Sequence, residues 1–85
     1  MERHPVILSI AGSDCSGGAG IQADIKTISA LGGYAASAIT AITIQNTLGV
    51  RAVQSIAPDI VRGQIEAVMD DLQPVSYTHL RAHET

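Results

Sequence analysis

A glycine-dense stretch between an apolar run and an amphipathic one constrains this chain more than any other feature. Gly12–Asp24 reads Gly-Ser-Asp-Cys-Ser-Gly-Gly-Ala-Gly-Ile-Gln-Ala-Asp, with four glycines in the nine positions from Gly12 to Gly20. Before it, Val6–Ala11 is apolar and rich in β-branched residues; after it, Ile21, Ile25, Ile28 and Leu31 recur at helical spacing. The stretch therefore reads as a loop joining a strand to a helix. Few side chains shield such a junction, so the N–H groups at the helix start are open to a ligand that approaches closely. A small-molecule or phosphate site is the expected use.

The flanking pattern extends this into a βαβ unit. Val6–Ile10 is expected to form a buried strand and Ile21–Leu31 a helix that stops at Gly32-Gly33. A second buried strand is expected from Ser37 to Ile44, within Ala35–Gln45, ending at the polar break Gln45-Asn46-Thr47. Parallel strands joined by a right-handed crossover open their C-terminal ends on one edge, where ligands of open α/β sheets bind. The glycine loop and Gln45 are then expected to face one another. Val50–Ile56 reads as a third, more exposed strand. A second helix starts at Ala57-Pro58-Asp59, carries the stripe Ile60, Val61, Ile65, Val68, Met69 and Leu72, and ends at Gln73-Pro74. Val75–Thr85 has no apolar periodicity long enough for the strand that should follow. The expectation is one domain portion over 1–74 and a non-native or disordered tail over 75–85.

Composition narrows the class. With 46% hydrophobic residues, 85 residues can build one small domain, and the absence of Phe and Trp leaves Ile, Val, Leu and Ala to make its core. A formal charge of −3 and five scattered basic residues argue against a nucleic-acid partner. One cysteine forms no internal disulfide, in keeping with a reducing compartment. No apolar run reaches the roughly 18 residues of a membrane span, and Met1–Pro5 leads straight into a strand. The expected protein is cytoplasmic, with no membrane association.

Two familiar phosphate loops fit poorly. Gly12-x4-Gly17 begins like a P-loop, but Gly18-Ala19 stand where Lys-Ser/Thr would hold phosphate and Mg²⁺. Gly18-Ala19-Gly20-Ile21-Gln22-Ala23 matches a dinucleotide fingerprint, yet Gly12–Gly17 separates it from the strand. The second strand also ends in Gln45 rather than a carboxylate.

A third pattern fits in full. Ala11-Gly12-Ser13-Asp14-x-Ser16-Gly17-Gly18-Ala19-Gly20-Ile21-Gln22-Ala23-Asp24, Lys26-Thr27 and Ala30-Leu31-Gly32 resemble the start of the hydroxymethylpyrimidine/phosphomethylpyrimidine kinases of thiamine biosynthesis. Thr40-Ala41 and Gln45-Asn46-Thr47-x-Gly49-Val50 extend the likeness, which covers about Pro5 to Leu72. It implies an α/β fold, the N-terminal βαβ portion of an incomplete ribokinase-like parallel sheet. It also implies a kinase that uses ATP and Mg²⁺ to phosphorylate 4-amino-5-hydroxymethyl-2-methylpyrimidine and then its monophosphate. The related pyridoxal kinases are the alternative, and a dinucleotide-binding oxidoreductase fragment a more distant one.

By the same resemblance, Gln45, Asp24, Gly12 and Thr43 bind the substrate, and Gly17, Gly18 and Gly20 close the loop over it. The chemistry agrees, since an aminopyrimidine edge pairs a donor with an acceptor and a carboxamide offers the complement. Backbone groups of Thr43 can add hydrogen bonds. Asp24, one turn into the helix, is favoured by the dipole and can reach back to the pocket. Each has a plainer role open to it: Asp24 as a helix-start charge, Gln45 as a strand-end brace, Thr43 as a β-former. Asp14 and Ser16 are expected to brace the loop, Cys15 to be a bystander and Lys26 to be solvated. His79 and His83 have i, i+4 spacing but no third ligand, so no metal is assigned.

The resemblance places the catalytic base and the ATP site in later parts of a much longer chain, so no catalytic residue is assigned here. The chain is expected to hold the acceptor-binding part and to be inactive alone. A homodimer is implied for the longer enzyme only.

Overall fold

In the computed structural model, residues 4–79 are described. Four strands and two helices alternate as β1 (Val6–Asp14), α1 (Gly20–Ala30), β2 (Tyr34–Asn46), β3 (Gly49–Ser55), α2 (Pro58–Asp71) and β4 (Ser76–His79). They form one sheet in the order β3-β2-β1-β4. β1 pairs in parallel with both β2 and β4, while β3 folds back antiparallel on β2. The expected βαβ unit is present, and the tips of β1 and β2 lie together, with Asp14 opposite Thr43.

Side chains alternate across a strand, so β1 serves both faces of the sheet. Leu8, with Val6 and Ile10, packs with Ala36 and Ala38 of β2 against Ile65, Val68 and Leu72 of α2. Ser9 points the other way, to Asp24 of α1. Of the predicted α1 stripe, Ile21 and Ile28 are buried. Leu31 is not: it is the C-cap residue and is 82% exposed. The helix stops as Gly32-Gly33 suggested. The Gly32 N–H bonds the Ser29 carbonyl and the Gly33 N–H bonds the Ile28 carbonyl, the paired bonds of a Schellman ending. The stripe on α2 is shallower than its period implied, since none of its residues is fully buried and Ile60 and Met69 are half exposed.

β2 carries an irregularity opposite Gly12, where Ala11 pairs with Ile39 and Ser13 with Ile42. Pairing with β3 begins only at Ala41. The Gln64 side chain of α2 supplies what the ladder omits at Ile39, accepting from its N–H at 2.8 Å and donating to its carbonyl at 2.9 Å.

Two sequence expectations need correction. β1 does not end at Ile10 but runs to Asp14, because β2 continues to offer main-chain partners as far as Thr43. After α2 the chain does return to the sheet. Ser76–His79 pairs with Ile7–Ile10 although it lacks an apolar pattern. A parallel edge ladder is made by main-chain groups, and β1 has a free edge to offer them. Residues 80–85 of the predicted tail lie outside the described residues.

Candidate functional site

The loop between β1 and α1 is short, Cys15 to Ala19, and is organised around one carboxylate. Asp14, 4% exposed, accepts from the Ser16 N–H (2.8 Å) and hydroxyl (2.7 Å) on one oxygen and from the Gly18 N–H (3.1 Å) on the other. Its own carbonyl receives the Gly17 N–H at 2.9 Å. The expected bracing role of Asp14 and Ser16 is thus what the structure shows. The open N–H groups expected at this junction are partly occupied, since the chain's own anion sits on them.

The Ser16 hydroxyl chiefly, and the N–H groups of Ser16, Gly18 and Ala19, hold the Asp14 carboxyl below its ordinary value of 3.8, against the opposing effect of burial. A folded pKa below the unfolded one stabilises the loop above about pH 4 and ceases to do so as pH falls through the folded value. Amide exchange at Ser16 and Gly18 is therefore expected to accelerate in acid, beyond the intrinsic pH trend, only below pH 3.8. In Asp14→Asn that step should be missing.

Gly20 closes the loop. It bridges back to Ser13, has φ of +61°, and a Cβ there would lie 2.2 Å from the Gly12 carbonyl oxygen. Gly18 is different: a Cβ would meet only the Asp14 carboxylate at 3.9 Å, so no close approach requires glycine there. Gln22, which the sequence reading passed over, fastens the helix to the strand end. Its oxygen accepts from the Asp14 N–H and its nitrogen donates to Ser13 Oγ, both at 2.8 Å. Lys26 is exposed as expected, but its ammonium donates to the Gly17 carbonyl at 2.8 Å and clasps the loop. A lone amide or ammonium in the first two turns after a glycine loop was the available signal for both.

Gln45 stands at the tip of β2. Its N–H and carbonyl face the Cys15 thiol, which donates to the carbonyl at 3.1 Å and accepts from the N–H at 3.4 Å. Cys15 is thus no bystander: it ties the loop to the neighbouring strand. The Thr43 hydroxyl lies against the Ser13 carbonyl (3.1 Å) and the Gln45 side-chain oxygen. A hydroxyl has one proton for these two acceptors. Turning the carboxamide end for end lets its nitrogen donate to Thr43 while Thr43 donates to Ser13, which leaves the Gln45 oxygen outward. Thr43 therefore acts through its side chain as well as its position.

Asp24 is the fifth residue of α1, and the first turn holds no acidic residue, so the expected dipole role does not apply. Its carboxylate instead turns to the sheet and accepts from Ser9 Oγ at 2.6 Å. Gly12 is buried beneath Gly20. The structure thus brings Gln45 and Thr43 into contact, joins them through Ser13 and Cys15 to the loop, and places Asp24 on the helix that follows it. A separate apolar groove of about 420 Å³, lined by Leu8, Ile65, Met69 and Tyr77 among others, lies between α2 and β4 and includes none of these residues. His79 is the last residue of β4, and His83 is outside the described residues.

Known proteins resemble this chain in sequence and in fold. The family model described as phosphomethylpyrimidine kinase matches residues 14–77. The hydroxymethylpyrimidine/phosphomethylpyrimidine kinase of Rhizobium meliloti is 64% identical over 67 residues, 79% of this chain and 25% of the relative. The enzyme of the same name from Escherichia coli is 58% identical over 66 residues, 78% of this chain and 25% of the relative. The crystal structure of phosphomethylpyrimidine kinase from Clostridium difficile superposes with a TM-score of 0.84 at 57% identity, covering 87% of this chain and 34% of that one. Pyridoxal kinase from Staphylococcus aureus, solved in complex with AMP-PCP, gives 0.84 at 32% identity, covering 95% of this chain and 30% of that one. The chain spans about a quarter of the length of these curated relatives. With a mostly parallel sheet, a glycine loop braced by its own aspartate, and this extent of matched sequence, the chain belongs to the phosphomethylpyrimidine kinase family.

Proposed function

We propose that these residues are the acceptor-binding part of a kinase that transfers the γ-phosphoryl group of ATP to 4-amino-5-hydroxymethyl-2-methylpyrimidine and its monophosphate. The match over residues 14–77 carries this reading. The geometry supports it: at a strand tip Thr43 holds the Gln45 carboxamide while Cys15 holds the Gln45 main chain, and a carboxylate projects from the adjoining helix. Gln45 pairs with the amino group and ring nitrogen of the pyrimidine, Asp24 accepts a hydrogen bond from it, and Gly12, Gly17 and Gly20 shape the loop beside it. The longer protein acts in the cytoplasm, as a homodimer, on a small molecule.

ATP and Mg²⁺ are the cofactors of the whole protein. The described residues contain no cluster of three or more His, Cys, Asp and Glu fit to hold an ion. Gly18-Ala19 also replace the phosphate-binding Lys-Ser/Thr of a P-loop. Among the described residues, no helix is long and apolar enough to cross a membrane.

The test uses a hybrid in which this chain replaces the stretch it matches in the Rhizobium meliloti kinase. Gln45→Leu is expected to weaken hydroxymethylpyrimidine binding about 100-fold, or about 3 kcal/mol, by leaving two ring groups unpaired. Unchanged affinity, measured by calorimetry, would remove Gln45 from the site. The likeness to pyridoxal kinases favours pyridoxal as the second reading. Tighter binding of pyridoxal than of hydroxymethylpyrimidine by the hybrid would select it.

A further inference from the structure

Ser9 is a fully buried polar side chain in the middle of β1, between Leu8 and Ile10. A hydroxyl in such a place requires a partner, and its partner is Asp24 Oδ2 at 2.6 Å. A carboxylate has no proton to give, so Ser9 donates, at a length typical of a charge-assisted O–H···O bond. This fixes one oxygen of Asp24 and, because the carboxylate is planar, the direction of the other. Among the described residues that second oxygen has no hydrogen-bond partner. No buried side-chain polar atom of the described residues lacks a partner, so the second oxygen reaches the surface.

We propose that Ser9 is a positioning residue: by holding one oxygen of Asp24 it aims the other at a hydrogen-bond donor of the acceptor substrate. That donor is an N–H of the amino group or the O–H of the hydroxymethyl group. The inference rests on the proposed function and deepens it. A buried serine hydroxyl can satisfy itself on neighbouring main-chain groups. Here it crosses from the sheet to the helix and engages the one functional carboxylate that the loop brace does not use.

The experiment measures dissociation constants of the hybrid for three ligands: hydroxymethylpyrimidine, its analogue lacking the amino group, and its analogue with methyl in place of hydroxymethyl. With Ser9 present, one analogue is expected to bind about 10- to 100-fold more weakly than the parent through loss of the bond to Asp24. Which analogue does so identifies the donor. In Ser9→Ala that ratio is expected to shrink several-fold, and Ser9→Thr, which keeps the hydroxyl, to restore it. Ser9→Cys, of similar size but a weaker donor, should fall between them.

Ser9→Ala and Ser9→Cys that weaken all three ligands equally, leaving the ratio intact, would overturn the positioning role and leave the proposed function standing. Failure of the unsubstituted hybrid to bind hydroxymethylpyrimidine would overturn the proposed function and this inference with it.

Discussion

Gly20→Ala is expected to cost about 3 kcal/mol or more and to abolish ligand binding at the loop. Two effects add. A left-handed backbone penalises any Cβ by roughly 1–2 kcal/mol, and overpacking a filled space adds about 1–3 kcal/mol. Both apply at Gly20, where φ is +61° and the new carbon would sit 2.2 Å from the Gly12 oxygen. That oxygen belongs to Gly12, whose neighbours Ala11 and Ser13 are both laddered to β2, so it has little room to move. Gly32 is the control. Its φ is +89°, but a Cβ there meets nothing within 4 Å, so Gly32→Ala should cost only the conformational part, about 1–2 kcal/mol. Urea unfolding of the two variants in the hybrid measures the difference. Equal midpoints would mean that the closure of Gly20 on Gly12 is absent in solution.

The 85-residue chain assayed alone is expected to transfer no phosphoryl group to hydroxymethylpyrimidine, whereas the hybrid should do so. Phosphoryl transfer requires the phosphates to be held in line, their charge to be neutralised and the hydroxyl proton to be accepted. The described residues hold the loop and the side chains proposed to contact the acceptor, but their one loop carboxylate, Asp14, is committed to Ser16 and Gly18. The single lysine of the chain, Lys26, is committed to the Gly17 carbonyl. Radiolabelled ATP gives the most sensitive readout, and turnover by the chain alone would show that these residues form a complete active site.

Much of the fold was legible because its signals are local. The β-branched run of Val6–Ile10, the spacing of Ile21 and Ile28, and the Gly32-Gly33 stop each act within a few residues. Misreadings arose where a distant partner decides. β1 extends through Gly12 to Asp14 because β2 pairs with it there. Ser76–His79 becomes a strand because β1 has an edge to offer, and no side-chain pattern announces that. Leu31 fits the helical period yet lies beyond the last turn, so periodicity alone assigned it to the wrong surface.

The candidate site divides the same way. The residue types at Gln45, Asp24, Thr43 and the glycines were visible in sequence, and so was the bracing role of Asp14 and Ser16. The links among them were not. Cys15 on the Gln45 backbone spans 30 positions, and Ser9 on Asp24 spans 15. A hydrogen bond of about 3 Å has directional requirements that only packed elements satisfy, and a linear pattern carries no such directions.

By itself, then, the order of residues determined which segments become strands and helices near the loop, and which chemical groups are available there. Those outcomes follow from steric and solvation preferences that each residue carries with it. Tertiary structure alone decided that Asp24 turns to Ser9 and that Cys15 joins the two strand tips. Each depends on where an element far along the chain comes to rest, which only the assembled four-stranded sheet and its two helices define.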